Sequence, residues 1–390
     1  MSPVTPPKTY ESPPPQSQPV DLPTEYRRRI ASVAAKLAAH DEPAALLVTP
    51  GADLLYLTGY RAPPLERLTC LIVSSDEAAA MVVPELELSA AQASPIPTID
   101  VEILAWPEDR SAMDIVRDRL KAITRVFVDD HMWAYRVLDL QRCVPDARVA
   151  AAGALISDLR LRKTAYEIDQ LQVAGRAVDS VLAQVGEWLR PGRTERQVAA
   201  DIHEAMLAAG HDHVDFIIVA AGPNSASPHH GASDRQLAVG DAVVVDIGGS
   251  IASGYCSDST RTFHLGEPTS QYLRAYEQLR AAQHAGVAAA RVGATCEGVD
   301  ATCRDLLAEA GLGEYFVHRT GHGIGLATHE DPYIVAGNKR TLEPGFAFSV
   351  EPGFYQPGRY GARIEDIVVC TDADPVVCNS RPHELAIIDV

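Results

Sequence analysis

The sequence of 390 residues predicts a two-domain α/β protein, a small α/β domain followed by a larger and internally duplicated one. Three observations predict it. Apolar runs alternate with helix-patterned stretches up to residue 153, an amphipathic helix then divides the chain, and beyond it two segments repeat each other. A chain of this length can bury two separate cores.

Residues 1–24 contain eight prolines and few large apolar side chains, so they are expected to form a disordered tail. From Tyr26 onward, Ile30, Val33 and Leu37 recur at helical spacing. The apolar runs AALLVT, LLYLTGY, CLIVSS and AAAMVVP follow, with helical stretches such as 112–123 between them and the strand-like VFVDD. That alternation predicts an α/β domain over 25–153 and a second domain over 154–390. Ile168, Leu171, Val178, Val181, Val185 and Leu189 keep a 3.6-residue period and predict a linking helix that Pro191-Gly192 ends. Thr194 and Gln197 carry the signature of a capping box, Gly210 closes that next helix, and VDFIIVA reads as a strand.

The second domain repeats itself. PGRTERQVAADIHEAMLAAG (191–210) aligns without gaps on VGATCEGVDATCRDLLAEAG (292–311), at an offset of 101. LAVGDAVVVDIGG (237–249) aligns on LEPGFAFSVEPGF (342–354), which puts Asp246 on Glu351 and Gly248 on Gly353. Gly254 and Asp258 then fall on Gly361 and Glu365. Chance similarity of Ala- and Gly-rich helices does not explain why carboxylate meets carboxylate twice.

The formal charge of −18, from 52 acidic and 34 basic residues, argues against nucleic acid or an anionic membrane as partner. No apolar run reaches 18 residues, and the start of the sequence shows no basic region followed by an apolar core. Seven cysteines without a CxxC pair suggest reduced thiols and a cytoplasmic protein.

Five metal-capable side chains stand at informative places. Asp246 ends VVVD before Gly248-Gly249, Asp258 lies in GYCSDSTRT, and His322 lies in HRTGHGIG. Glu351 ends FSVE before Pro352-Gly353, and Glu365 lies in GARIED. Four carboxylates and one imidazole form a hard, oxygen-rich set that suits two divalent cations better than one. A single tetrahedral zinc needs fewer carboxylates and often uses cysteine. Cys256, two residues before Asp258, reads as a strand filler.

Asp246 and Glu351 follow strongly apolar strands and are expected near the end of a buried sheet, where an unpaired carboxylate is costly. Apart from Arg261 and Arg363, few cations lie nearby in sequence to pair them, so metal is the simplest explanation. Two adjacent cations lower the pKa of a shared hydroxide and polarise a carbonyl. Bridging falls to carboxylates, because an imidazole nitrogen offers one lone pair. Asp258 and Glu365 are assigned as bridges, Asp246 to one metal, and His322 with Glu351 to the other. Histidines 229, 230, 318 and 329 flank these elements, and at least one is expected to bind a substrate carbonyl or the intermediate.

The segments NSASPHHGASDR (224–235), VVVDIGG, GYCSDSTRTF, HRTGHGIGLATHE, SVEPGFY and GARIEDIVV resemble the pita-bread metallopeptidases, specifically Xaa-Pro aminopeptidases and prolidases. ADLLYLTGY (52–60) is similar to a stretch of their creatinase-like N-terminal domain. The resemblance implies that domain followed by a pseudo-twofold catalytic domain, and a homodimer. It implies Asp246, Asp258, His322, Glu351 and Glu365 as ligands of two divalent metal ions, with manganese first and cobalt, zinc or iron also suited. It further implies that His229, His318, His329 and Arg363 hold a proline-containing peptide or its tetrahedral intermediate, and that Glu351 shuttles a proton. One departure is that twelve residues lead from Asp246 to Asp258 where the family pattern has eleven. The extra residue is expected in the hairpin SIASG, which can absorb it.

The implied reaction cleaves the bond before proline, whose imide nitrogen has no N–H and needs a proton as it leaves. The choice between aminopeptidase and dipeptidase stays open, since it depends on how far the pocket is blocked beyond proline. Creatinase- or ectoine-hydrolase-like C–N hydrolysis on the same fold is the alternative, although creatinase-like members lose metal ligands and all five are present here. A methionine aminopeptidase usually lacks the extra N-terminal domain. A non-catalytic binding protein on the scaffold is disfavoured by the intact ligand set.

Overall fold

The structure, a computed structural model, describes residues 20–75 and 78–390. They form two compact units, one ending at Arg160 and the other running from Leu161 to Val390. The expected disordered tail lies outside the described residues as far as position 19. Its last residues are helical instead, because helix α1 (Leu22–Ala38) starts there with Pro23 in its first turn, where a missing N–H leaves no bond unmade.

In the first unit α1 leads to β1 (Ala44–Val48), α2 (Ala52–Thr58), β2 (Cys70–Ser74) and β3 (Ala80–Pro84). Then come α3 (Leu88–Ala93), β4 (Glu102–Trp106), α4 (Ala112–Arg119), β5 (Arg125–Val128), α5 (Ala134–Cys143), β6 (Arg148–Ala151) and α6 (Ala154–Leu161). The strands form one mixed sheet in the order β4-β3-β2-β1-β5-β6. The run LLYLTGY is helical rather than extended. Leu54, Tyr56, Leu57 and Thr58 are all buried, and an apolar run buried on every side hides its own period. Gly59, at φ +69°, ends the helix in the left-handed conformation.

The second unit opens with α7 (Ala165–Leu182) and α8 (Val185–Trp188), so the single linking helix expected is interrupted at Ala183 and Gln184. Helix α9 (Glu195–Ala208) follows, then β7 (His211–Ala221), β8 (Ala242–Ile251), β9 (Cys256–Leu265) and α10 (Ser270–Ala289). The rest comprises α11 (Cys296–Glu309), β10 (Gly321–Gly323), β11 (Glu330–Ile334), β12 (Ala347–Val350), β13 (Gly353–Gln356), β14 (Tyr360–Arg363), β15 (Asp366–Val369), β16 (Val376–Val377) and β17 (Ala386–Ile388). The sheets run β17-β9-β8-β7 and β11-β10-β12-β15-β16, with β13-β14 a separate hairpin.

The repeat is visible in three dimensions. Helices α9 and α11 start and stop at positions shifted by the same offset as the sequence, and each is N-capped by a threonine, Thr194 or Thr295. Both threonines also form an isolated bridge, to Gln236 and Thr341 respectively. Behind the second half a core of Tyr276, Phe346, Phe348 and Phe354 is fully buried. It fixes the strands on which the candidate ligands stand.

Short β10 closes against β12 only because Gly321 has no side chain. A Cβ there would stand 1.8 Å from the carbonyl oxygen of Ser349. Gly321→Ala is therefore expected to destabilise the protein by about 1–3 kcal/mol or more through backbone displacement, measured as a lowered unfolding midpoint.

Candidate metal centre

In the first half, β8 and β9 pair antiparallel with Asp246 opposite Thr260 and Gly248 opposite Asp258. Residues two apart share a face, so Asp246 and Asp258 project side by side. Asp246 is mid-strand, not at a strand end as its place before two glycines suggested. Gly248 and Gly249 continue the strand, and the Phe216 ring and the His213 carbonyl fill the space their side chains would need.

In the second half β12 and β15 pair through Val350 and Asp366. Glu351 and Glu365 sit one residue beyond that last pair, each just off the ladder. His322 lies on β10, and its Nδ1 donates to the Gly323 carbonyl at 3.1 Å, since a carbonyl only accepts. Its Nε2 lone pair then faces carboxylate oxygens alone, Glu351 Oε1 at 3.3 Å and Asp258 Oδ2 at 3.6 Å. Lone pair against lone pair is repulsive unless a cation, or a proton on one of the carboxyls, lies between them.

The five predicted residues thus meet. Ligand atoms of Asp246, Asp258 and Glu365 lie within 4.8 Å of one another, as do those of His322, Glu351 and Glu365. A third such group joins Asp258, His322 and His329. All five border one cavity of about 860 Å³, with Phe216, Ile218, Pro228, His229 and His329 on its walls.

Arg363 is fully buried and braces the site. It donates to Asp246 Oδ2 (2.6 Å), Tyr355 Oη (2.6 Å), Thr260 Oγ1 (3.0 Å) and the Pro228 carbonyl (3.3 Å). Thr260 in turn donates to Glu365 Oε2 (2.8 Å). Asp246 is therefore paired, by one of the two cations the sequence placed nearby. Arg261 pairs with Asp366 rather than with a site carboxylate, and it holds the Glu365 carbonyl at 2.6 Å. Tyr355, now bound to Arg363, donates to His318 Nε2 (2.9 Å), whose Nδ1 donates to the Arg319 carbonyl (2.7 Å). Both ring nitrogens of His318 are thereby engaged within the protein. His229 and His329 are exposed to the cavity and hold no hydrogen bond among the described residues.

Charge is badly unbalanced here. Burial raises Asp258 and Glu365 well above the carboxylate range, and neighbouring carboxylates add to the rise. Burial also pushes Glu351 up to about 7 against the pull of Arg363. Burial lowers His322 to about 3 and His318 to about 4, so neither ring adds a positive charge at neutral pH. Asp246 Oδ1 is buried with no hydrogen-bond partner. Only Arg363 among the cavity's guanidinium groups is ion-paired with one of the four carboxylates among the described residues, and the donor set fits hard divalent cations.

Sequence reasoning missed two residues. Tyr355 was hidden in an ordinary apolar run, SVEPGFY. Arg319 lies three residues before His322 in HRTGHGIG, and that spacing beside a glycine-rich loop was the available signal. It lines the cavity with its guanidinium 4.4 Å over the Tyr333 ring, and no carboxylate pairs with it among the described residues.

Residues 169–372 match the model of metallopeptidase family M24. The chain belongs to metallopeptidase family M24. Residues 29–162 match the Creatinase/Prolidase N-terminal domain of the same architecture. The chain is 50% identical over 366 residues to the "Probable dipeptidase PepE" of Mycobacterium tuberculosis, covering 94% of this chain and 97% of that protein. It is 37% identical to the Xaa-Pro dipeptidase of Lactobacillus helveticus, over 81% of this chain and 87% of the relative. Among solved structures, dipeptidase PepE from Mycobacterium ulcerans superposes with a TM-score of 0.89 at 48% identity, covering 96% and 100% of the two chains. Prolidase from Thermococcus sibiricus gives 0.86 at 33%, covering 95% and 100%.

In this M24 chain the raised carboxyl pKa values predict the stability of metal-free protein. A carboxyl whose folded pKa is raised stabilises while protonated and loses that contribution as pH rises through the folded value. Chelated protein should therefore lose the Glu351 contribution as pH rises from about 4.5 through about 7, with the raised Asp258 and Glu365 extending the loss upward and the lowered His318 and His322 opposing it below about 6.5. Added divalent cation should raise the melting temperature and flatten the slope. A scanning fluorimetry series at matched pH checks both.

Proposed function

We propose that the protein is a metal-dependent peptidase that hydrolyses Xaa-Pro dipeptides. The observation that carries the reading is the convergence of Asp246, Asp258, His322, Glu351 and Glu365 on one cavity whose wall also presents the guanidinium of Arg319, which pairs with no carboxylate among the described residues. The Xaa-Pro dipeptidase and prolidase names of several relatives support the substrate class.

In this reading Asp246, Asp258 and Glu365 would hold one divalent cation, and His322, Glu351 and Glu365 the second. Two such cations would supply Lewis acidity, polarising the scissile carbonyl and making water acidic enough to attack near neutral pH. His229 and His329, which hold no hydrogen bond among the described residues, face the substrate carbonyl and the oxygen that becomes negative. Glu351 takes a proton from the attacking water and returns it to the departing proline nitrogen, which has no proton of its own. Arg363 cannot give up its charge and, with Tyr355, keeps Asp246 and Thr260 in register. Arg319 receives the free carboxylate of a dipeptide, the feature that separates a dipeptide from a longer chain.

Manganese is the proposed cation, on the strength of the oxygen-rich donors. Seven unbridged cysteines support a cytoplasmic location. A homodimer is the proposed assembly, and Trp133, Tyr135 and Leu138, exposed along α5, are surface such an assembly could cover.

Ala-Pro should be cleaved by manganese-loaded protein and spared after chelation. It should be cleaved with kcat/KM about 10-fold or more above that for Ala-Pro-Ala. Absence of Xaa-Pro cleavage by the loaded protein overturns the reading. Arg319→Gln should raise KM for Ala-Pro by about 10-fold while changing KM for Ala-Pro amide little, since the amide has no carboxylate to lose.

A further inference from the structure

Glu195, the first residue of α9, is fully buried yet belongs to no metal group. It accepts five hydrogen bonds. Oε1 takes the Ala221 N–H (2.8 Å) and Asn224 Nδ2 (3.0 Å). Oε2 takes His230 Nε2 (2.8 Å), the Ser233 N–H (3.0 Å) and Ser233 Oγ (2.6 Å). Every donor comes from the end of β7 or the loop between β7 and β8. That loop carries Pro228, His229, His230 and Gly231 along the cavity wall. It has little regular structure, a short 3₁₀ turn over Gly222–Ala226 and the bridge of Gln236 to Thr194, so its buried polar groups need partners from elsewhere. A charged acceptor makes stronger bonds than a neutral one, and five converging on one carboxylate fix the loop at both flanks of His229.

The other half of the molecule has a counterpart at a different position. The repeat places Cys296 where Glu195 stands, and no carboxylate is there. Helix α11 instead offers buried Asp300, one turn further along, whose equivalent in the first half is Ala199. Asp300 Oδ1 accepts from the Thr320 N–H (3.0 Å) and Thr320 Oγ1 (2.8 Å), and Arg304, paired with Asp300, donates to the carbonyls of Phe316 and His318. Each half therefore holds its side of the cavity from a buried carboxylate on the equivalent helix, α9 or α11, and simple inheritance of one residue through the duplication does not account for the two.

We propose that Glu195 is a positioning residue for the reaction: through Asn224, His230 and Ser233 it sets where His229 meets the substrate. Its kinetic part rests on the Xaa-Pro dipeptidase reading above, whereas its structural part stands alone. Glu195→Gln exchanges one acceptor oxygen for an amide donor that must face donors. The variant should keep the metal content of the wild type. Hydrogen exchange in peptides spanning 221–235 should quicken about 10-fold, while 242–251 and 316–322 keep wild-type rates. Its kcat/KM for Ala-Pro should fall about 10- to 100-fold, but by less than about 3-fold when introduced into His229→Ala, because the two act through one contact. Exchange at wild-type rates, exchange quickened equally in β8, or full multiplicative loss in the double variant would overturn the proposal. Should Glu195→Gln fail to fold, Asn224→Ala and Ser233→Ala each remove donors singly and carry the same expectations. If wild-type protein leaves Ala-Pro intact, the dipeptidase reading falls, and the exchange pattern alone decides the positioning role.

Discussion

Like charges held close repel, and the backbone holds Asp246, Asp258, Glu351 and Glu365 close. Asp258 stands diagonal to Asp246 across one antiparallel pair, and Glu351 and Glu365 flank the end of another. Arg363 offsets part of that charge. His322, with its proton turned to the Gly323 carbonyl, offers a lone pair and no charge. The surroundings answer this constraint. Arg261 pins the strand of Glu365 from behind, Thr260 relays a hydrogen bond from Arg363 to Glu365, and a fully buried aromatic core backs the second pair of strands.

Duplication explains how a chain can assemble four convergent acids at modest structural cost. Each half brings one antiparallel strand pair and one capped helix; the acids align in the repeat, but the first pair is diagonal within its ladder and the second lies opposite just beyond the end of its own. The symmetry is broken where chemistry needs it. Short β10 delivers His322 to one side only, while the loop after β7 delivers His229 from the other half. The two wall elements are irregular, and each is tied back by a buried carboxylate on a helix, Glu195 or Asp300.

Much of this was legible in the sequence because it depends on side-chain type at fixed spacing. The four acids and the histidine could be picked out because apolar strands and glycines framed them. The helices of the second unit announced themselves through Thr194 with Gln197 and through their apolar period. What was not legible depends on burial from all sides or on contacts distant in sequence. LLYLTGY lost its helical period because nearly every residue is covered. Asp246 looked like a strand end because glycines normally stop strands, whereas here Phe216 and the His213 carbonyl occupy the space left by the missing side chains. The Arg363–Asp246 pair joins residues 117 positions apart, and Tyr355 and Glu195 act through partners no local pattern indicates.

The central claim is that these five residues exist to hold two divalent cations. Counting metal per chain by mass spectrometry, after loading with manganese and removal of free ion, tests it most directly. The account predicts two ions per chain in the wild type and a loss of both sites' occupancy in Glu365→Gln, the residue common to both ligand groups. A wild-type content of one ion or none, or an unchanged content in Glu365→Gln, would contradict it.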